Sequence, residues 1–164
     1  MPIRTLFPMA YHITWGTYGT RLHGDERGTV DRSMNNFGDP IIGRDGDWHR
    51  IESSRLRFPA RVLTVEQRLL IENIVPDICI RGGWTFVTTA AADDHVHNII
   101  SSPVDGKDIR KWLKRWVSEA LNKRWPIEQG QVWWAECGSV KWIWNEDYYR
   151  RAADYVRGQR THPE

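Results

Sequence analysis

The chain predicts an α+β fold: a ferredoxin-like split βαβ sheet with an extra C-terminal helix and a long loop insertion after the first strand. Two observations carry this. Apolar residues recur at helical spacing in separate stretches, interleaved with four short stretches rich in β-branched and aromatic residues. The resulting order is strand, helix, strand, strand, helix, strand, helix, and two crossover connections in that order give the split βαβ arrangement. With 164 residues, the whole chain, 1–164, reads as one domain, long enough to bury a core and short for two.

The first strand is predicted at Ala10 to Trp15, where Tyr, His, Ile, Thr and Trp suit a pleated surface. From Gly16 to about Pro59 the composition turns to Gly, Asp, Arg, Asn and Pro, so 16–59 is expected to be a loop insertion. Insertions of that length inside a domain are often functional. Thr64-Val65-Glu66-Gln67 has the pattern of a capping box and starts a helix expected to run to about Ile80. Leu70, Ile71, Ile74, Val75 and Ile78 form its apolar stripe, Pro76 is expected to kink it, and Arg81-Gly82-Gly83 ends it.

Trp84 to Ala92 and His95 to Ser101 are then expected as two strands of a hairpin turning at Asp93-Asp94. In the next helix, Ile109, Trp112, Leu113, Trp116, Val117, Ala120 and Leu121 fall at i, i+3, i+4, i+7, i+8, i+11 and i+12. Gln131 to Trp144, with Gly138 inside it, is expected as a fourth strand or a bulged hairpin. Asn145 followed by Glu146 and Asp147 is an N-cap with acids at the positive end of the dipole, opening a last helix to about Gln159.

Composition excludes several functions. No apolar run approaches the length of a membrane span, and MPIRTLFPMAYHITW lacks a basic region followed by an apolar one, so a cytoplasmic protein without a membrane partner is expected. Cys79 and Cys137 form neither a CxxC pair nor a disulfide framework and read as ordinary core or strand residues. The net charge of +2 is small, yet between Lys107 and Arg160 twelve Lys and Arg stand against seven Asp and Glu, with seven of the ten tryptophans. Cations neutralise phosphates and rings stack on unpaired bases, as a single-strand binder requires. Arg110, Lys111, Lys114 and Arg115, on the charged face of the helix from Asp108 to Arg124, are the candidate phosphate contacts.

The candidate chemistry lies in two short motifs. His95-Val96-His97 on a strand puts both imidazoles on one face. Tyr155 and Gln159, four apart on a helix, also share a face, so a nucleophile and a ligand can sit together. Tyr148 and Tyr149 are rivals, but neither has Gln or Asn four residues on. Two neutral imidazoles and an amide oxygen leave a bound Mg²⁺ or Mn²⁺ with its full charge to polarise a phosphate. A tyrosine hydroxyl must be activated to attack, since it ordinarily loses its proton near about pH 10. His23, Asp25 and Glu26 in LHGDERG read as turn residues, and His12 and His49 as ordinary. A small metal-dependent oxygenase or isomerase would call for a third histidine or a carboxylate beside the His-x-His pair and an apolar pocket, and neither is visible.

AYHITWGTYGTRLHGDERGTVDR, DDHVHNII, GSVKWIW and DYVRGQ, in that order along nearly the whole chain, resemble the single-tyrosine HUH transposases, in particular the branch associated with repetitive extragenic palindromes. The resemblance implies a ferredoxin-like nuclease in which His95 and His97 bind the metal, Gln159 completes the site and Tyr155 attacks the DNA backbone. It implies a 5′-phosphotyrosine link with a free 3′-hydroxyl, recognition of a DNA hairpin, a bacterial, nucleoid-associated setting and no nucleotide cofactor. It also implies a homodimer, often with the tyrosine helix serving the partner's site. Asp94 stands where such proteins commonly have Asn, which adds a negative charge beside the histidines. The alternative is a domesticated, non-catalytic binder of single-stranded or hairpin nucleic acid, for which Tyr155 and Gln159 have no evident use.

Overall fold

A computed structural model describes residues 6–20 and 56–161. His23, Asp25, Glu26 and His49, with most of the expected insertion, lie outside the described residues. The elements are β1 (Ala10–Gly16), α1 (Val65–Gly82), β2 (Thr85–Ala91), β3 (His95–Ser101), α2 (Gly106–Arg124), β4 (Ser139–Ile143) and α3 (Glu146–Gly158). The strands pair in the order β2-β3-β1-β4, each neighbouring pair antiparallel. This is the expected α+β split βαβ sheet with one added helix.

Local signals set most boundaries. At α1, Thr64 accepts from Gln67 N while the Gln67 side chain accepts from Thr64 N, and Gly83 closes the helix in the left-handed region at φ 73. Pro76 sits inside this helix without ending it. Asp105 caps α2 and Asn145 caps α3 through their side chains. The β2–β3 hairpin turns at Asp93 and Asp94, with Ala92 N donating to His95 O at 2.8 Å.

The fourth strand is shorter than the expected Gln131 to Trp144. Cys137 and Gly138 take φ of 60 and 132, which breaks a β ladder, so regular pairing begins only at Ser139. A Cβ on Gly138 would lie 2.4 Å from Thr14 O, so this glycine permits the close approach of the incoming chain to β1. Cys137 is therefore a half-exposed residue of the irregular segment before β4 rather than a core or strand one, whereas Cys79 is buried in α1.

Alternation along β1 separates two layers. Tyr11, Ile13 and Trp15 pack with Ile71 and Val75 of α1 and with Ile109, Leu113 and Val117 of α2. Ala10 faces the other way, into a smaller cluster with Ala90, Ile99, Ile143 and, from α3, Ala152 and Val156. Helices α1 and α2 thus cover one face of the sheet and α3 part of the other. No helix among the described residues is long and apolar enough to cross a membrane.

Candidate active site

On the α3 side of the sheet a cleft of about 640 Å³ opens among His12, Thr14, His95, His97, Lys141 and Tyr155, with Gln159 also on its wall. Period-two alternation brings the strand residues here: His12 and Thr14 share one face of β1, and Thr14 is paired in register with His97. The imidazole centroids of His95 and His97 lie 4.6 Å apart, edge to face. Tyr155, 53% exposed on α3, holds its ring 5.5 Å from that of His97 and 6.5 Å from that of His12. The four residues expected to carry chemistry, His95, His97, Tyr155 and Gln159, are thereby gathered on one cleft of one chain.

Each histidine of the pair is oriented through its Nδ1. Asp94 Oδ1 is hydrogen-bonded to His95 Nδ1. His97 Nδ1 lies 3.1 Å from both His12 Nε2 and Thr14 Oγ1. Outer partners of this kind fix the tautomer and direction of a ligating imidazole. Asp94, anticipated as extra charge beside the histidines, therefore acts directly on His95.

His12 corrects its reading as ordinary, and also the expectation of no third histidine or carboxylate beside the pair. Burial, with the nearby Lys141 ammonium adding to it, pushes its pKa down to about 4, so the ring is neutral near pH 7. Its Nε2 is engaged with His97, and among the described residues no group of three His, Cys, Asp or Glu has the geometry to hold an ion. Period two and the expected strand order could have flagged His12, because they set β1 beside β3; the register that brings it to His97 is not a local property. Lys141 and Arg151, which make this wall of the cleft cationic, were also missed. Arg151 is one turn before Tyr155 on α3, a spacing the sequence does display.

The four cations of α2 lie on the opposite layer. Arg110 Nη1 donates to Gly138 O at 3.0 Å, and Lys114 Nζ donates to Ala135 O at 2.9 Å and Cys137 O at 2.8 Å. Both side chains hold the segment that leads into β4. Burial lowers the pKa of Lys114, and the neighbouring Arg110 charge lowers it further. Lys111 and Arg115 are exposed, at 5.5 and 5.3 Å from the Trp112 ring centroid.

The family model described as "Transposase IS200 like" matches residues 49–159, more than half of the 164. The chain belongs to the IS200-like transposase family. IS200-like transposases are DNA-cleaving enzymes that generally use divalent metal ions. Among solved structures, this transposase is similar to a REP-associated tyrosine transposase bound to a REP hairpin, with 10% identity, coverage of 96% of this chain and 69% of that one, and a TM-score of 0.50. The likeness shows the shared fold. A chain from Deinococcus radiodurans assigned as a transposase aligns at 16% identity over 98% of this chain and 97% of its own, with a TM-score of 0.48. No curated protein matches.

Proposed function

We propose that this IS200-like transposase, acting as one domain over 1–164, nicks and rejoins single-stranded DNA through Tyr155, beside a divalent ion held by His95, His97 and Gln159. The observation that carries the reading is the position of Tyr155 against His97 in one cleft of the same chain, at 5.5 Å between rings. The donor set fits an Mg²⁺ or Mn²⁺ ion: with Nδ1 of each histidine engaged by Asp94 or by His12 and Thr14, Nε2 of each ring is the nitrogen that would face it. When bound, the ion supplies Lewis-acid polarisation of the scissile phosphate.

The chain's own groups do the rest. Tyr155 Oη gives up its proton and forms a bond to phosphorus as the P–O3′ bond breaks, and the departing 3′ oxygen takes up one proton in exchange, leaving as a hydroxyl. The product is a 5′-phosphotyrosine with a free 3′-hydroxyl, and attack by a 3′-hydroxyl reverses the step, so no nucleotide cofactor is consumed. Lys141 and Arg151 give the cleft wall positive charge toward the phosphate. Lys111 and Arg115 of α2 are the outward cations for flanking phosphates, while Arg110 and Lys114, first expected in that role, serve the 135–138 segment.

A hairpin beside the cut is the proposed DNA feature, in keeping with the hairpin bound by the structural relative. The proposed assembly is a homodimer whose tyrosine helices each line the cleft of their own chain.

The test is incubation with labelled single-stranded DNA pools containing hairpins, with and without Mn²⁺, followed by a denaturing gel. A metal-dependent covalent adduct that is lost in Tyr155→Phe is the expected outcome. Tight hairpin binding with no adduct under any metal would instead make the protein a domesticated binding module.

A further inference from the structure

We infer that Glu72 of α1 is a positioning residue for the tyrosine helix, clamping the backbone that follows α3 onto the outer edge of β2. Glu72 is a carboxylate only 4% exposed, in a helix on the sheet face opposite the cleft, and the proposed chemistry does not use it. Its Oε2 accepts from Ala91 N at 3.0 Å and from Thr161 N at 3.0 Å. Its Oε1 lies 3.3 Å from the same Thr161 N. One buried side chain thus joins α1, the edge strand β2 and the segment Arg160-Thr161 that follows Gln159.

Neighbouring bonds close the clamp. Thr161 Oγ1 donates to Ala91 O at 3.3 Å, and Arg160 Nη1 donates to Thr89 O at 3.2 Å. Among the described residues strand β2 pairs with β3 alone, so these groups lie on its outer edge. The tail therefore satisfies that edge while Glu72 covers it.

Helix α3 depends on such an anchor because its own packing is thin. It is 13 residues long, and only Ala152, Ala153 and Val156 are buried, two of them with a single methyl group. A helix of this length is marginal in water without tertiary support. At its start Asn145 caps it; at its end, Gln159 is two residues from Thr161 and Tyr155 is six. Removing the carboxylate leaves two backbone N–H donors without their acceptor, which loosens the end of α3 that carries both functional side chains. Displacement of a reacting group by an ångström reduces rate by about 10²-fold.

This inference rests on the reading of Tyr155 and Gln159 given above, and its test separates the two. Adduct formation, DNA affinity and amide hydrogen exchange would be measured for wild type, Glu72→Ala, Glu72→Gln and Thr161→Pro. Glu72→Ala is expected to slow adduct formation on the order of 10²-fold with hairpin affinity within about twofold, and to raise exchange across Val156 to Thr161 about tenfold while the β1–β3 pairing is unchanged. Glu72→Gln, whose amide oxygen can take the place of Oε2, is expected to restore both. Thr161→Pro deletes the tail N–H donor, and with it the Oγ1 bond to Ala91 O, without altering a residue of α1 or β2, and should reproduce the alanine phenotype if Glu72→Ala does not fold. Wild-type exchange in α3 of folded Glu72→Ala and Thr161→Pro would overturn the clamp. Absence of any wild-type adduct would overturn the cleavage reading while the exchange data still decided the clamp.

Discussion

At the scale of single residues, one imidazole of the cleft bears on another. His12 contacts His97 Nδ1 through its Nε2, and because burial keeps it neutral near pH 7 its Nε2 can accept when His97 carries its proton on Nδ1. Loss of such an outer partner typically reduces metal affinity or activity 10- to 100-fold, roughly. His12→Ala is therefore expected to lower Mn²⁺ affinity by about tenfold or more, read by titrating adduct yield against metal. Equal titration curves for the two proteins would show that His12 does no orienting. Tyr155 is the opposite case, an exposed side chain whose removal should abolish the adduct and leave the fold intact, as a surface position allows.

At the scale of elements, the path of the chain into β4 is governed by α2. Cys137 and Gly138 adopt positive φ, and the carbonyls of Ala135, Cys137 and Gly138 are taken by Lys114 and Arg110. Ser139 and Lys141, immediately downstream, line the cleft, so two cations on one face of the sheet position groups on the other. Lys114→Ala should destabilise the protein by about 2 kcal/mol, since it removes charge-assisted bonds from a half-buried segment. Denaturant unfolding would measure that, and the slope of DNA affinity against salt should stay at the wild-type value. A slope reduced by about one, with stability unchanged, would return Lys114 to the phosphate contacts first expected of it.

At the scale of the whole molecule, stability is tied to pH through the core. Burial pushes the Cys79 thiol up to about 12. The unfolded chain sheds this proton near pH 9, so between about 9 and 12 it binds fewer protons than the folded one, and stability falls as pH rises through that window. Below the window both states are protonated and the group contributes nothing. The fall is up to about 1.4 kcal/mol per pH unit. Cys79→Ala should flatten this alkaline limb in urea unfolding at successive pH values; an unchanged slope would assign the limb to other groups.

What the sequence determined by itself is local. Apolar spacing, capping residues and turn chemistry act within a few residues, so the helices, the β2–β3 hairpin and the order that makes a split βαβ sheet were legible, as were the two short motifs His95-Val96-His97 and Tyr155 with Gln159. Their sharing of a cleft followed from that order only once the strand register was known. Tertiary structure alone decided the rest: His12 reaches His97 because Thr14 pairs in register with it, Lys114 turns to the chain before β4, and Glu72 finds Thr161. These contacts join positions 85, 23 and 89 residues apart. A buried polar group bonds whatever the packed fold brings within reach, and no periodicity in the chain records which group that will be.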